Sequence, residues 1–209
     1  LAAASAALPL SSAFADDAAA KPKVGLVMKS LANEFFVTMQ DGAKQYQKDH
    51  AADFDMITNG IKNETDTSAQ IDIVKQMILS KVNAIVIAPA DSKALVKVLE
   101  DASKAGIKIV NIDNRLDPGV LKSKNLDIPF VGPDNRKGAK LVGDYLAKQL
   151  ASGDKVGIIE GVPTTTNAQQ RTAGFKDAMD AAGLKIVSTQ SGNWEIDEGR
   201  KVASAMLSE

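Results

Sequence analysis

The sequence contains no cysteine, which excludes disulfides, thiol nucleophiles and zinc–thiolate centres but leaves the compartment open. It has a single histidine, His50, in a polar stretch that suits a surface position better than a metal ligand or a base. Lysine and arginine (25) nearly balance aspartate and glutamate (26), for a net charge of −1. A nucleic-acid partner needs a basic face, and this balance argues against one. No apolar run reaches the ~20 residues of a membrane-spanning helix. No G-x-G-x-x-G follows the first apolar run, and no G-x-x-x-x-G-K-[ST] occurs, so nucleotide-phosphate cradles are missing. There is no G-x-S-x-G elbow either. No cluster of metal-ligand residues stands out and no cofactor is implied, so a catalyst would have to work with carboxylates and lysine alone. Aromatics make up only 4% of the chain, so their positions carry information.

The residues present are enough for a core. Hydrophobic side chains are 44% of 209 residues, which allows one large domain or two small ones. The most informative stretch is VGLVMKSLANEFFVTMQDGA, residues 24–43. Val24 to Met28 is long enough for one buried strand. Phe36, Met39, Gln40, Ala43 and Tyr46 then recur at helical spacing. A strand running into a helix opens a parallel α/β sheet, whose ligands sit beyond the carboxyl ends of its strands. That edge carries Lys29, Asn33, Phe35 and Phe36. Hydrogen-bonding groups beside flat aromatic faces suit a sugar, with hydroxyls at its rim and C–H groups on its faces.

The alternation continues. Phe54–Thr58 reads as a strand ended by Asn59-Gly60. A helix runs from Asp66 or Ser68 to Ser80, and Ala84–Ile87 is an unbroken central strand. Ser92 is placed to cap a helix that reaches Ala105, and Gly106 stops it. Ile107–Ile112 is a strand with Asp113-Asn114-Arg115 at its end, and Asp117-Pro118-Gly119 reads as a turn. Phe130-Val131 is a short strand before the break at Gly132-Pro133. Then follow a helix over 135–150, a strand Lys155–Glu160, a helix Asn167–Ala182, a strand Leu184–Thr189 and a helix over 195–207. The pattern is α/β with two doubly wound parallel-sheet lobes, residues 23–132 and 133–209, the second with two strands only. Residues 1–15, LAAASAALPLSSAFA, end in an A-x-A pattern before Asp16-Asp17. We read residues 1–22 as a signal-peptide remnant and flexible N-terminus, with a mature start near Asp16.

Residues 23–209 resemble periplasmic sugar-binding proteins of the ribose-, allose- and galactose-binding type, which serve ABC transporters and chemoreceptors. The resemblance rests on the 24–43 stretch, on Asp113 after IVNI, on NAQQRTAGF (167–175) and on QSGNWEIDEG (190–199). It implies a type I periplasmic binding protein fold whose second lobe continues beyond what is seen here. It implies that Asn33, Phe35 and Phe36 face the sugar. Lys29 matches allose-type members, as does Ala88 where ribose-type members carry asparagine. Asp113 would accept from two sugar hydroxyls. Arg171 keeps the R-T-x-G-F context, while another alignment puts Gln169 in the arginine position; Asn167 is a further candidate. Asn114 stands where the family often has arginine. Trp194 matches an aromatic that stacks on the opposite sugar face.

Structural alternatives accompany these readings. Phe36 has helical partners and suits the core, Asn33 suits a helix cap, and Lys29 and Arg171 suit solvated surfaces. Asp113 suits a turn. Three functions compete. The first is a non-enzymatic receptor, periplasmic and monomeric, that captures a hexose, pentose or polyol for an ABC permease. The second is the sugar-sensing half of a transcription regulator, which would carry a helix-turn-helix where this chain has a secretion-like segment. The third is an α/β enzyme lobe, disfavoured by the missing phosphate loop.

Overall fold

The computed structural model describes residues 20–208; the expected cleavage region lies outside them. Five parallel strands form the first sheet in the order β2-β1-β3-β4-β5. They are β1 (Lys23–Ser30), β2 (Asp55–Ile61), β3 (Ala84–Ile87), β4 (Lys108–Ile112) and β5 (Phe130–Val131). The helices between them are α1 (Glu34–Asp49), α2 (Thr67–Leu79), α3 (Val96–Lys104) and α4 (Pro118–Ser123). From β1 the chain steps outward to β2, then crosses back to place β3 on the other side. The strand order therefore reverses between β1 and β3, and a crevice opens beyond their carboxyl ends.

Alternating side chains bury both faces of this sheet. Val27, Ile85, Ile87 and Ile109 point to one face, under Ile73, Val74 and Met77 of α2 and Val96 and Leu99 of α3. Leu26, Met28 and Val86 point to the other, against Phe36, Met39 and Ala43 of α1. The apolar runs carry no alternation in sequence because both faces are covered.

The second sheet pairs β6 (Lys155–Glu160) with β7 (Lys185–Ser191), also parallel. Helices α5 (Asn135–Ala147), α6 (Thr166–Ala181) and α7 (Ile196–Met206) accompany it. Two glycines let α5 and α6 touch. A Cβ on Gly174 would lie 2.0 Å from the Arg136 carbonyl oxygen, and one on Gly143 would lie 2.6 Å from Ala178 Cβ. Beneath them Ala178, Met179 and Leu184 form a small core with Val156, Phe175 and Ile186.

Three local readings of the sequence are corrected. β2 does not stop at Thr58: Asn59 and Gly60 pair with Val27 and Met28. Gly60 marks a close approach rather than a turn, since a Cβ there would sit 2.7 Å from the Lys29 carbonyl oxygen. Ser92 does not cap α3. Asp91 Oδ1 accepts from the N–H groups of Lys93 and Ala94 at 2.7 and 2.8 Å, and Ser92 turns toward the second lobe. Asp117-Pro118-Gly119 is the start of α4, with Asp117 accepting from Val120 N–H at 2.9 Å and proline in the first turn. The remaining elements fall within a few residues of expectation.

Gln70, on α2 and fully buried, ties the site-bearing edge together. Its Nε2 donates to the carbonyls of Met28 (3.0 Å) and Ala88 (2.9 Å), and its Oε1 accepts from Ala90 N–H at 2.7 Å. These bonds join the ends of β1 and β3 to one helix. Gln70→Leu removes all three and leaves buried peptide groups short of partners. We expect a loss of about 2–4 kcal/mol in urea denaturation, seen as a lower midpoint at unchanged slope. A wild-type midpoint would show the strand ends are held by other means.

Candidate functional site

The site grows from the carboxyl ends of β1 and β4 on one side and the starts of α6 and α7 on the other. Lys29 leaves the end of β1 and is only 1% exposed, not solvated. Its Nζ lies 2.8 Å from Glu64, whose side chain is equally buried. The same ammonium stands 5.5 Å from the centre of the Phe36 ring. Asn33 caps α1, accepting from Phe35 N–H at 3.0 Å, and donates to Glu64 Oε1 at 3.1 Å. Cap and site are thus one residue: each group of its amide keeps a second bonding position. Phe36 is buried against the sheet, whereas Phe35 is 56% exposed and meets it edge-on at 5.0 Å. Phe35 presents its ring outward and Phe36 supports it.

Asp113 follows β4 with φ +58, a left-handed conformation that aspartate tolerates. Asn111 holds that turn: its amide donates to the carbonyls of Ile112 (3.2 Å) and Asn114 (2.8 Å) and accepts from Leu116 N–H (2.8 Å). One Asp113 oxygen, Oδ2, is buried without a hydrogen-bond partner. Burial pushes the Asp113 carboxyl above its ordinary pKa, opposed by the nearby charges of Lys29 and Arg171. Those two cations come from different lobes, so Asp113 lies between the walls.

On the second wall Arg171 donates from Nε to Asn135 Oδ1 at 2.8 Å and lies 5.4 Å from the centre of the Trp194 ring. Trp194 adopts φ +63, preceded by Asn193 at +51. A Cβ on Gly161 would come within 1.9 Å of the indole, so only glycine leaves room for it. The indole Nε1 is buried and unpartnered. Arg171 and Trp194 also border a cavity of about 640 Å³, lined by second-lobe residues that include Asn135, Glu160 and Gly161.

Asn114 and Gln169 bond to other partners, and Asn167 sits at the start of α6 beside Asn114. Asn114 is fully buried; its Nδ2 donates to the Pro89 carbonyl at 2.9 Å, and its Oδ1 accepts from Ser92 Oγ and Asn167 N–H, both at 3.3 Å. Ser92 Oγ in turn accepts from Thr166 N–H at 2.8 Å and Thr166 Oγ1 at 2.9 Å. These residues form the junction between the lobes at the start of α6. Asn167 Oδ1 accepts from the neighbouring Ala168 N–H at 2.8 Å. Gln169 is exposed and donates to the Pro163 carbonyl at 2.7 Å, turning back onto its own loop. The geometry therefore gathers Lys29, Asn33, Phe35, Phe36, Asp113, Arg171 and Trp194.

Sequence reasoning missed Glu64, Asn111, Asn135 and Glu195. Glu64 lies in a loop whose polarity hides its burial. Gln70 carried a signal, because it falls three and four residues before Ile73 and Val74 on the buried stripe of α2.

Two parallel α/β sheets thus bring polar groups and aromatic rings to their facing strand ends. The model of the periplasmic binding protein domain matches residues 24–209, and the chain belongs to that family. A D-ribose/D-allose-binding protein of Pseudomonas aeruginosa is 70% identical over 209 residues, all of this chain and 65% of that protein. The crystal structure of an ABC transporter solute-binding protein from Burkholderia multivorans, with an unknown ligand, superimposes with a TM-score of 0.89 at 74% identity. It covers 91% of this chain and 67% of that one. A periplasmic solute-binding protein from Actinobacillus succinogenes with bound D-allose gives 0.81 at 36% identity, over 90% of this chain and 65% of that one. The chain thus spans about 65% of the length of the curated relative. These relatives are solute-binding proteins rather than enzymes, and the family is periplasmic.

The raised Asp113 pKa has a definite sign for stability. Between the unfolded and the folded pKa the native chain retains a proton that the unfolded chain has released. Stability therefore falls as pH rises through that window and stays lower above it. Asparagine also tolerates the left-handed backbone. We expect Asp113→Asn to unfold at higher temperature than the wild type at neutral pH, with the gain vanishing below the ordinary aspartate pKa. Calorimetry at both pH values checks this; an equal gain at each would show that charge is not its source.

Proposed function

We propose that the protein is a periplasmic receptor that captures a monosaccharide for an ABC importer. The observation that carries this reading is Asp113 Oδ2, a buried carboxylate oxygen with no partner, set between Lys29 of one wall and Arg171 of the other. An unpaired buried acceptor is costly, and a ligand hydroxyl would satisfy it. Phe35 and Trp194 offer ring faces to the apolar C–H surfaces of the same ligand, as in sugar stacking. Lys29 and Asn33 would donate to further hydroxyls. Lys29 together with Ala88 favours an allose-type hexose, while pentoses and polyols remain in the same chemical class. Binding is the activity, and no bond is made or broken.

Residues 23–132 and 133–209 serve as the two lobes, turning about a hinge near Gly132-Pro133 as the ligand is enclosed. The closed monomer then docks on a membrane permease, and a chemoreceptor is a second natural partner for such a closed form. Residues 1–15 serve as the end of a signal peptide. Mass spectrometry of the exported precursor should find a mature start near Asp16.

A thermal-shift screen of the full-length protein against D-allose, D-ribose, other aldoses and inositols tests the reading. A sugar at about 100 times its dissociation constant adds about 2.7 kcal/mol to stability. No shift with any sugar, at concentrations that saturate its relatives, would overturn it. Phe35→Ala and Trp194→Ala should each weaken binding by about 1–3 kcal/mol in calorimetry, whereas Trp194→Phe should keep most of the affinity. As the sole tryptophan, Trp194 should also change its emission saturably with sugar. Normal binding by both alanine variants would move the site elsewhere.

A further inference from the structure

Glu64 touches both walls of the cleft. Its carboxylate meets Lys29 at 2.8 Å and accepts from Asn33 Nδ2 at 3.1 Å, so it holds two donors of the first wall. Its backbone N–H donates to Glu195 Oε1 at 2.9 Å, across 131 residues of sequence. Glu195 directly follows Trp194 and stands at the N-cap of α7. Both the lysine and glutamate side chains are 1% exposed. No other carboxylate among the described residues forms an ion pair with Lys29, yet Lys29 also lies near enough to Asp113 to favour its charged form.

The lysine therefore has two acids within its field. With Glu64 in place its charge is matched at the back of the site, and Asp113 Oδ2 is left without a partner. Without Glu64 the flexible four-carbon arm of Lys29 would be free to swing toward Asp113 and close the site on an internal ion pair. At the same time Asn33 would lose one of the two bonds that hold its amide, keeping only the cap bond from Phe35 N–H.

Resting on the sugar-receptor reading, we propose that Glu64 is a positioning residue. It sets Lys29 and Asn33 for ligand hydroxyls, keeps Lys29 off Asp113, and has its loop clamped by Glu195 of the second wall on closure. First-wall geometry and lobe closure are then linked through one residue. Sugars presenting a hydroxyl to Lys29 gain most from this arrangement, so Glu64 governs preference as well as affinity. Glu195 acts on the loop and not on the ligand, so it governs affinity alone.

Calorimetry on the full-length protein with D-allose and D-ribose tests this, with folding checked by circular dichroism. Glu64→Gln should weaken the preferred sugar about tenfold or more and shift the ratio of the two dissociation constants toward unity. Lys29→Met should remove most of that preference by itself. Adding Glu64→Gln to it should then cost far less than in the wild-type background, a non-additivity that a merely structural glutamate would not show. Glu195→Ala should weaken both sugars by a similar factor and leave the ratio unchanged. Should Glu64→Gln fail to fold, Glu64→Asp keeps the charge but withdraws it by one methylene, and must still shift the ratio. A folded Glu64 variant with wild-type constants for both sugars, additive effects with Lys29→Met, or wild-type affinity in Glu195→Ala would each overturn the proposal. If the wild type itself bound no sugar, the sugar-receptor reading would fall; wild-type binding with unmoved variants would sink this proposal alone.

Discussion

The buried contact between Lys29 and Glu64 is the constraint on which the first wall rests. Taking either charge out of water alone would cost several kcal/mol, and their attraction repays this only if geometry and further hydrogen bonds are good. The fold supplies both. Gln70 fixes the end of β1, from which Lys29 projects, and Asn33 supplies a further bond to Glu64. A buried pair of this kind is weak evidence for stability. It makes better sense as a way to hold a donor at a fixed place in a dry cleft.

The backbone is also strained near the ends of β4 and β7. Asp113, Asn193 and Trp194 all take positive φ. For a bulky side chain such as tryptophan this is a genuine outlier, and such conformations cost on the order of 1–3 kcal/mol each. They persist because neighbours over-determine them: Asn111 around Asp113, Ser191 with its hydroxyl accepting from Asn193 N–H at 3.1 Å, and Gly161 under the indole. Asp113 directly follows β4, and Asn193 and Trp194 lie in the loop after β7; Lys81 and Asn125, which also take positive φ, instead follow helices α2 and α4. On the proposed receptor reading, this strain would serve to present the Asp113 carboxylate and the Trp194 ring to a ligand.

Much of the fold was legible because parallel strands and helices differ in period. Ala84–Ile87 and Lys155–Glu160 declared themselves as short strands, and Gly106 as a helix stop. The misreadings were local and share a cause. Asn59-Gly60 looked like a turn because glycine's need for space and its need for positive φ leave the same letter. Ser92 looked like a cap because a serine beside a helix start is also right for a contact with a distant lobe. The resemblance pointed to Lys29, Asn33, Asp113, Arg171 and Trp194, which the structure gathers, while Asn114 and Gln169 turned to other partners. Glu64 was illegible: nothing in KNETD distinguishes a fully buried carboxylate from a solvated one. Only the loop's position over Lys29 does that.

The lobes meet in two chemically different ways, and the difference bears on how closure could depend on a ligand. At the junction the bonds are neutral and short-ranged, hydroxyl and amide of Ser92, Asn114, Thr166 and Asn167. They give little pull at a distance and reward only a well-fitted approach. In the cleft Asp113 lies within the field of two cations, Lys29 of the first lobe and Arg171 of the second. Opposite charges attract across a gap but lose their hydration as the gap dries. An empty cleft that closed would strand Asp113 Oδ2 without a hydrogen bond, and the penalty would oppose the gain at the junction. A polyhydroxylated ligand reverses that sign, since it replaces lost water with fixed hydroxyls while its apolar faces cover Phe35 and Trp194. Under the proposed reading closure would then become favourable through differential contact, which is the only way a ligand shifts such an equilibrium. On that reading, the unsatisfied carboxylate would be the element that makes the closed form conditional.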